Sequence, residues 1–255
     1  MFKNAIVRTP SSTMINGLTT SADLGKPNYE LALIQHQNYI KALSTCGLEV
    51  TVLPVLEQFP DVCFVEDVSL LTEQFAVLTC PGAESRRDEV QEIEPSIQVF
   101  FKDRIFRINP PGRLEAGDVL RIDNHFFIGL SERTNKEGAE QLIYLLNQHG
   151  YTASVIQLKK FLHLKTGVSY LNNDYVLVSG ELINHQAFGH LKQIEVSSEE
   201  AYAANCIMIN ETVLLPKGCP KITDHLSELG FSIIELDMSE FRKLDGGLSC
   251  LSLRF

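Results

Sequence analysis

Apolar and polar positions along the chain alternate between two periods. NAIVRTP (residues 4–10) is a short apolar run closed by a proline, the signature of a buried strand. From Asn28 to Cys46 the apolar residues Leu31, Ile34, Tyr39, Ile40 and Leu43 recur at helical spacing, and Gly47 ends the run, which predicts a helix there. The polar stretch between them, Ser11 to Lys26, reads as a loop. Beyond Gly47 one order of segments repeats: a β-rich segment, a polar corner, a two-stranded hairpin, then a helix. LEVTVLP leads to FVEDVSLLTEQFAVLTC, SIQVFFKDRIFRI to LEAGDVLRIDNHFFIGL, and ASVIQL to LKTGVSYLNNDYVLVSG. KQIEVSSEEAYAANCIMINETVLLP and FSIIELDMSEFRKLDGGLSCLSLRF keep that order, and the last ends in a stretch able to pair beside the first strand.

Aligning the corners at Asp67, Asp118, Gly167, Asn205 and Gly247 gives a period of roughly 40 to 50 residues, the range of repeat architectures. Five copies of a ββαβ-type unit predict a closed α/β ring around a central channel, and with no linker or low-complexity tract the chain reads as one domain, 1–255. In such a ring the corners sit at one radius, so residues far apart in sequence converge. They carry Asp61, Glu66 and Asp67, then Glu115 and Asp118, then His163 and Lys165, and finally Cys250. A thiol, an imidazole and several carboxylates meeting at one place is what nucleophilic catalysis requires.

Each of these residues also has a plainer reading. Cys250, which starts an apparent strand after the Gly246-Gly247 pair, could be a small buried hydrophobe. His163 beside leucines could be a core histidine, Glu115 could begin a turn, and PDVCFVEDV could be a solvated turn instead of an anionic pocket for a planar cation. Arg86, Arg87 and Arg133 could be ordinary surface residues, or forks for an α-carboxylate.

Composition narrows the function classes. A formal net charge of −10 disfavours phosphate-backbone binding and suits a small cationic substrate. No stretch is long and apolar enough to span a membrane, and MFKNAIVRTP lacks the apolar segment of an export signal, so a cytoplasmic setting is expected. The six cysteines show neither a C-x-x-C pair nor zinc-finger spacing, so neither a structural metal nor disulfides are expected.

Taken together, VRTP with NGLT, LGKPNY, FPDVCFVEDV, GAESRRDE, EAGDV, SERTN, HLKTG, AYAANC and DGGLSCLSLRF resemble the dimethylarginine dimethylaminohydrolases of the guanidine-modifying (pentein) superfamily, nearly end to end. The resemblance implies a five-bladed α/β propeller with its active site in the central channel. It implies Cys250 as nucleophile, His163 as general acid and base, and Glu115 as the carboxylate orienting the histidine or substrate. Glu66 and Asp67 would clamp the guanidinium. Asp61, Arg86 and Arg133 would hold the amino-acid end, and the carbonyls of Leu18, on a lid loop, and Leu244 would meet its ammonium and backbone. The implied reaction is hydrolysis of asymmetric dimethylarginine or monomethylarginine to citrulline, with no metal or organic cofactor, in a monomer or homodimer. Arginine deiminases resemble H-x-D at the histidine corner, whereas this chain has His163-Leu164-Lys165, which leaves one side of the guanidinium free to carry methyl groups. A deiminase of arginine or an arginine derivative, or a non-catalytic propeller, are the competing readings.

Overall fold

The computed structural model describes residues 1–255. Strand β1 (Asn4–Arg8) is followed by helix α1 (Tyr29–Thr45), and β2 (Glu49–Leu53) returns parallel to β1. The helix starts where Asn28 accepts the Leu31 N–H on its side chain at 3.0 Å, and ends before Gly47 at φ +88°. Three further units pair an antiparallel hairpin with a parallel third strand reached through a helix. They are β3 (Ser69–Leu71), β4 (Ala76–Leu78), α2 (Glu89–Phe101) and β5 (Ile105–Arg107); β6 (Val119–Ile122), β7 (His125–Leu130), α3 (Lys136–Gln148) and β8 (Thr152–Gln157); and, last, β12 (Ile207–Ile209), β13 (Thr212–Pro216), α4 (Pro220–Glu228) and β14 (Ser232–Leu236). The unit between the last two, β9 (Val168–Tyr170), β10 (Tyr175–Val178) and β11 (Lys192–Glu195), pairs the same way but has two 3₁₀ turns where the repeat predicts a helix. Gly180 at φ +52° and Asn184 at φ +56° break the helical path there.

After a short helix α5 (Ser239–Arg242), strand β15 (Leu253–Arg254) lies antiparallel to β1, with Ala5 opposite Arg254 and Ile6 opposite Leu253. The chain's last segment thus completes the first sheet, giving five three-stranded sheets. Each central strand is buried on both faces, which is why AIV, AVL, FFI, VLV and VLL read as unbroken apolar runs.

The apolar core is divided among five seams, one between each neighbouring pair of sheets. Ile6 and Leu253 meet Ala76, Leu78 and α2; Val77 meets Ile128 and α3; Phe127 and Ile156 meet Val176 and Phe188; Leu177 meets Val213 and α4; Leu214 meets Ala5, Val7 and α1. Burial of these side chains drives closure at the seams and leaves the axis to other groups. A cavity of about 620 Å³ opens at the hairpin turns of the ring, and Glu66, Lys165, Ser249 and Arg254 are among its lining residues. The buried polar residues Asp61, Asp67, Glu115 and Asp118 cluster at the corners that precede the inner strands.

One departure concerns Cys250. It sits in a 3₁₀ turn, Ser249–Leu251, and not in a strand, and the pairing begins at Leu253. That turn is anchored to α1 by Tyr39, whose buried hydroxyl donates to the Leu248 carbonyl at 2.8 Å and lies 2.6 Å from Ser252 Oγ. Tyr39→Phe should lower the stability to urea by about 1–2 kcal/mol, the cost of leaving a buried acceptor unpaired. An unchanged unfolding midpoint would mean that this anchor contributes nothing.

Candidate active site

The corners do converge. Glu115, wholly buried, begins the Ala116–Asp118 turn and accepts from its surroundings on both oxygens. Its Oε2 lies 2.7 Å from His163 Nε2, and its Oε1 accepts the Ala83 N–H at 3.0 Å and lies 3.5 Å from Arg133 Nη1. Burial pushes this carboxyl up, but the hydrogen bond and charge of His163, aided by Arg86, outweigh it and hold the group at about 2. The imidazole responds in the opposite sense. Burial lowers its pKa, yet Asp67, the Glu115 bond and Asp118 carry it up to about 9. His163 is therefore an imidazolium at neutral pH, bonded through Nε2, with Nδ1 making no hydrogen bond to the protein.

Close packing explains the glycines of this corner. A Cβ on Gly117 would stand 2.7 Å from Asp67 Oδ1 and 3.0 Å from His163 Cγ. Only a residue without a side chain lets the imidazole and the Asp67 carboxylate share that space, with His163 Nε2 3.8 Å from Asp67 Oδ1. The Gly246-Gly247 pair answers to the same constraint: a Cβ on Gly246 would strike the Phe64 ring at 2.3 Å, and one on Gly247 would strike the Asn205 amide at 2.3 Å. Asn205 in turn donates to the Lys165 carbonyl at 2.9 Å and accepts the Ser249 N–H at 3.0 Å, bridging the histidine and cysteine corners.

Cys250 is partly exposed, and its carbonyl accepts the Glu66 N–H at 3.1 Å. Burial of the thiol, with Asp67 and Glu66 nearby, pushes its pKa up to about 12. The Gly247 N–H, 3.4 Å from Sγ, acts in the stabilising direction but is outweighed. The same carboxylate, Asp67, thus borders both the thiol and the imidazole.

Glu66 is 4% exposed, and its two oxygens differ. Oε1 is gripped by Lys165 Nζ at 2.6 Å and Arg254 Nη2 at 3.2 Å, whereas the buried Oε2 has no hydrogen-bond partner. Burial opposes ionisation, but the two cations more than compensate and hold the carboxyl below its usual range. Lys165 is therefore more than the absence of a deiminase acid, because it fixes and ionises Glu66. Sequence reasoning missed this pairing, and missed Arg254 altogether, since nothing in SLRF marks an arginine as facing inward.

The remaining expected residues surround this centre. Asp61 accepts the Leu18 N–H on both oxygens, at 3.0 and 3.3 Å, and burial raises its pKa against the pull of Arg86. The Leu18 and Leu244 carbonyls accept no hydrogen bond from the chain. Arg133 is partly buried, with its guanidinium beside Glu115. Arg86 differs from expectation. It is buried and already bonded to Asp67 at 2.6 Å, to Glu89 at 2.8 Å and to the Asp61 and Phe64 carbonyls, which leaves one Nη1 hydrogen uncommitted. A two-pronged grip on a ligand carboxylate is not open to it in this arrangement, because its fork is spent on Glu89. Arg87 is the surface residue of the pair, beside Glu84. Asp67, Glu115 and His163 bring donor atoms within 4.8 Å of one another, but all three are engaged with protein partners, as a charge network is.

The chain matches known proteins along its length. The sequence profile described as N,N dimethylarginine dimethylhydrolase, eukaryotic, matches residues 11–250. The N(G),N(G)-dimethylarginine dimethylaminohydrolase of Pseudomonas aeruginosa is 50% identical over 255 residues, covering 100% of both chains. That of Streptomyces coelicolor is 32% identical over 261 residues, covering 99% of this chain and 96% of its own. A solved structure of the Pseudomonas aeruginosa protein, a cysteine-to-serine mutant complexed with citrulline, has a TM-score of 0.98 at 49% identity, covering 100% of each chain. The N-terminal domain of ArgZ, a cyanobacterial arginine dihydrolase, shares the fold at TM-score 0.89 and 20% identity, covering 100% of this chain and 97% of its own. The closed ring expected from the repeat and the five-bladed α/β propeller that the resemblance implies agree with the fold observed.

The Glu115–His163 pair makes stability depend on pH at both ends. His163, raised from 6.5 to about 9, contributes stability fully present below its unfolded pKa and lost as pH rises through about 9. Glu115, lowered from 4.5 to about 2, contributes stability present above 4.5 and lost as pH falls through about 2. The urea midpoint should therefore decline from neutral pH toward alkaline pH, and His163→Gln should flatten that decline. An alkaline slope identical in the variant would rule the pair out as its source.

Proposed function

The chain belongs to the dimethylarginine dimethylaminohydrolase family, and on that footing we propose that it hydrolyses Nω-methylated arginines to citrulline and methylamine or dimethylamine through a covalent intermediate on Cys250. The observation that carries the residue assignment is the convergence at Asp67 and Glu66: the His163 imidazole lies 2.7 Å from Glu115 and 3.8 Å from Asp67, and the Cys250 carbonyl accepts the Glu66 N–H at 3.1 Å. A guanidinium is planar, cationic and rich in N–H donors, and the unpartnered Glu66 Oε2 is a buried acceptor suited to one of them. Arg133 would meet the substrate carboxylate, with the single free Nη1 hydrogen of Arg86. Asp61 and the open carbonyls of Leu18 and Leu244 suit the ammonium.

Charge dictates the sequence of events. In the empty site the two carboxylates beside Cys250 oppose a third negative charge. A bound cation offsets them, so the thiol gives up its proton to solvent water when substrate arrives. The thiolate attacks the guanidinium carbon, giving a tetrahedral adduct. His163, protonated through the neutral range, donates from Nδ1 to the departing amine as the carbon–nitrogen bond breaks, leaving an S-alkylthiouronium on Cys250. The now neutral His163 takes a proton from water, the oxygen attacks the same carbon, and as the carbon–sulfur bond breaks the hydroxyl proton passes to the departing thiolate, restoring the thiol and releasing citrulline.

Purified protein incubated with arginine, monomethylarginine and asymmetric dimethylarginine should form citrulline from the methylated substrates, with an equal amount of methylamine or dimethylamine. Citrulline and ammonia from arginine alone would overturn the reading in favour of a deiminase. Cys250→Ser should turn over at least about a thousandfold more slowly, as expected when a nucleophile is lost. Near-normal turnover would exclude the covalent scheme. Lys165→Met removes a cation yet should weaken binding of a cation: Glu66 keeps Arg254 but loses the closer of the two partners that hold it ionised, so KM should rise by about tenfold, and more at pH 6 than at pH 8. A KM that falls would mean that Glu66 is not the acceptor.

A further inference from the structure

Asp118 is fully buried, lies outside the reacting groups, and touches the segments that carry three of them. Its Oδ1 accepts the Leu164 N–H at 2.9 Å, one residue after His163. Its Oδ2 accepts the Ser131 hydroxyl at 2.7 Å, and Ser131 Oγ accepts in turn the Arg133 N–H at 3.0 Å and the Thr134 N–H at 3.1 Å. The Thr134 hydroxyl accepts the Glu115 N–H at 3.2 Å. One side chain thus ties together the turns that present the imidazole, its carboxylate partner and the arginine expected at the substrate carboxylate. Gly129 of β7 makes room for it, since a Cβ there would stand 2.9 Å from Asp118 Oδ1.

We propose that Asp118 is a positioning residue of this enzyme: through these hydrogen bonds its buried carboxylate sets the spacing of His163, Glu115 and Arg133 for departure of the amine. This rests on the reading of His163 as the acid. A merely structural aspartate would stabilise these turns without moving a titration. Burial raises the pKa of Asp118 itself, against the pull of the His163 charge and of the hydrogen bonds from Ser131 and the Leu164 N–H; ionised, the carboxylate adds to the field on the imidazole along with Asp67 and Glu115. The cations nearest these acids, Arg86, Arg133 and Lys165, are each already paired, with Asp67, Glu115 and Glu66 respectively. Removing the Asp118 charge is therefore not cancelled by a free neighbour.

Asp118→Asn keeps the shape and the acceptor for the Leu164 N–H but loses the charge. The test is the pH profile of kcat/KM for asymmetric dimethylarginine, measured for wild type and variant with circular dichroism confirming the fold. The alkaline limb, expected near pH 9 in the wild type, should move down by about half to one unit, with kcat reduced about tenfold or more. A limb that stays in place overturns the assignment to Asp118 alone, whereas a wild-type profile with no such limb overturns the role of His163 as well. Ser131→Ala provides an independent arm, because it cuts the bonds to the Arg133 and Thr134 amides but leaves the Asp118 carboxylate and its bond to the Leu164 N–H in place. It should raise KM about fivefold and leave the limb where it was. An unchanged KM, or a limb displaced as in Asp118→Asn, would overturn the positioning network.

Discussion

The site depends on one buried carboxylate whose oxygens are treated differently. Glu66 is ionised because Lys165 and Arg254 hold one oxygen, and it is incomplete because the other is buried without a donor. An unpaired buried acceptor costs about 1–3 kcal/mol, which the fold must recover from the five seams of apolar packing. A ligand that brings an N–H to that oxygen relieves the cost. A flat cationic donor suits that oxygen.

The same acid-rich hub determines the resting protonation state. Burial with the carboxylates Asp67 and Glu66 raises the thiol, and Asp67 and its neighbours raise the imidazole against burial, so on the proposed reading the nucleophile is neutral and the acid charged until a cation arrives. This ordering protects the cysteine, since an uncharged thiol reacts slowly with stray electrophiles and oxidants. Selectivity is thus set partly by charge before shape is consulted.

Much of this was legible in the sequence. Five apolar runs at a regular spacing announced a ring, because a strand buried on both faces cannot hide its composition, and the acids, His163 and Cys250 fell at the predicted corners. The missing helix of the fourth unit was not legible, because Gly180 and Asn184 act through backbone angles that a repeat alignment ignores. Nor was the traffic among charges. Arg86 reads the same in sequence whether its fork faces a ligand or Glu89, and Lys165 reads the same whether it merely replaces an acid or restrains one. Partner choice among buried ions is decided by distances of a few ångström between segments far apart in the chain. Asp118 stood in plain view in EAGDV, but its contacts lie in two later turns.

The loop that carries Leu18 has a further consequence. Its amide is bound by Asp61, the Thr20 amide and the Ser21 hydroxyl by Asp245, and the Thr19 hydroxyl by the Lys243 carbonyl, all beside the turn that leads to the cysteine. Swinging this strap away would leave a largely buried carboxylate without its amide donor, so the contacts of the strap oppose its release. On the reading of this loop as a lid, each opening breaks several bonds at once, and turnover would inherit a clock set there as well as by the chemistry behind it.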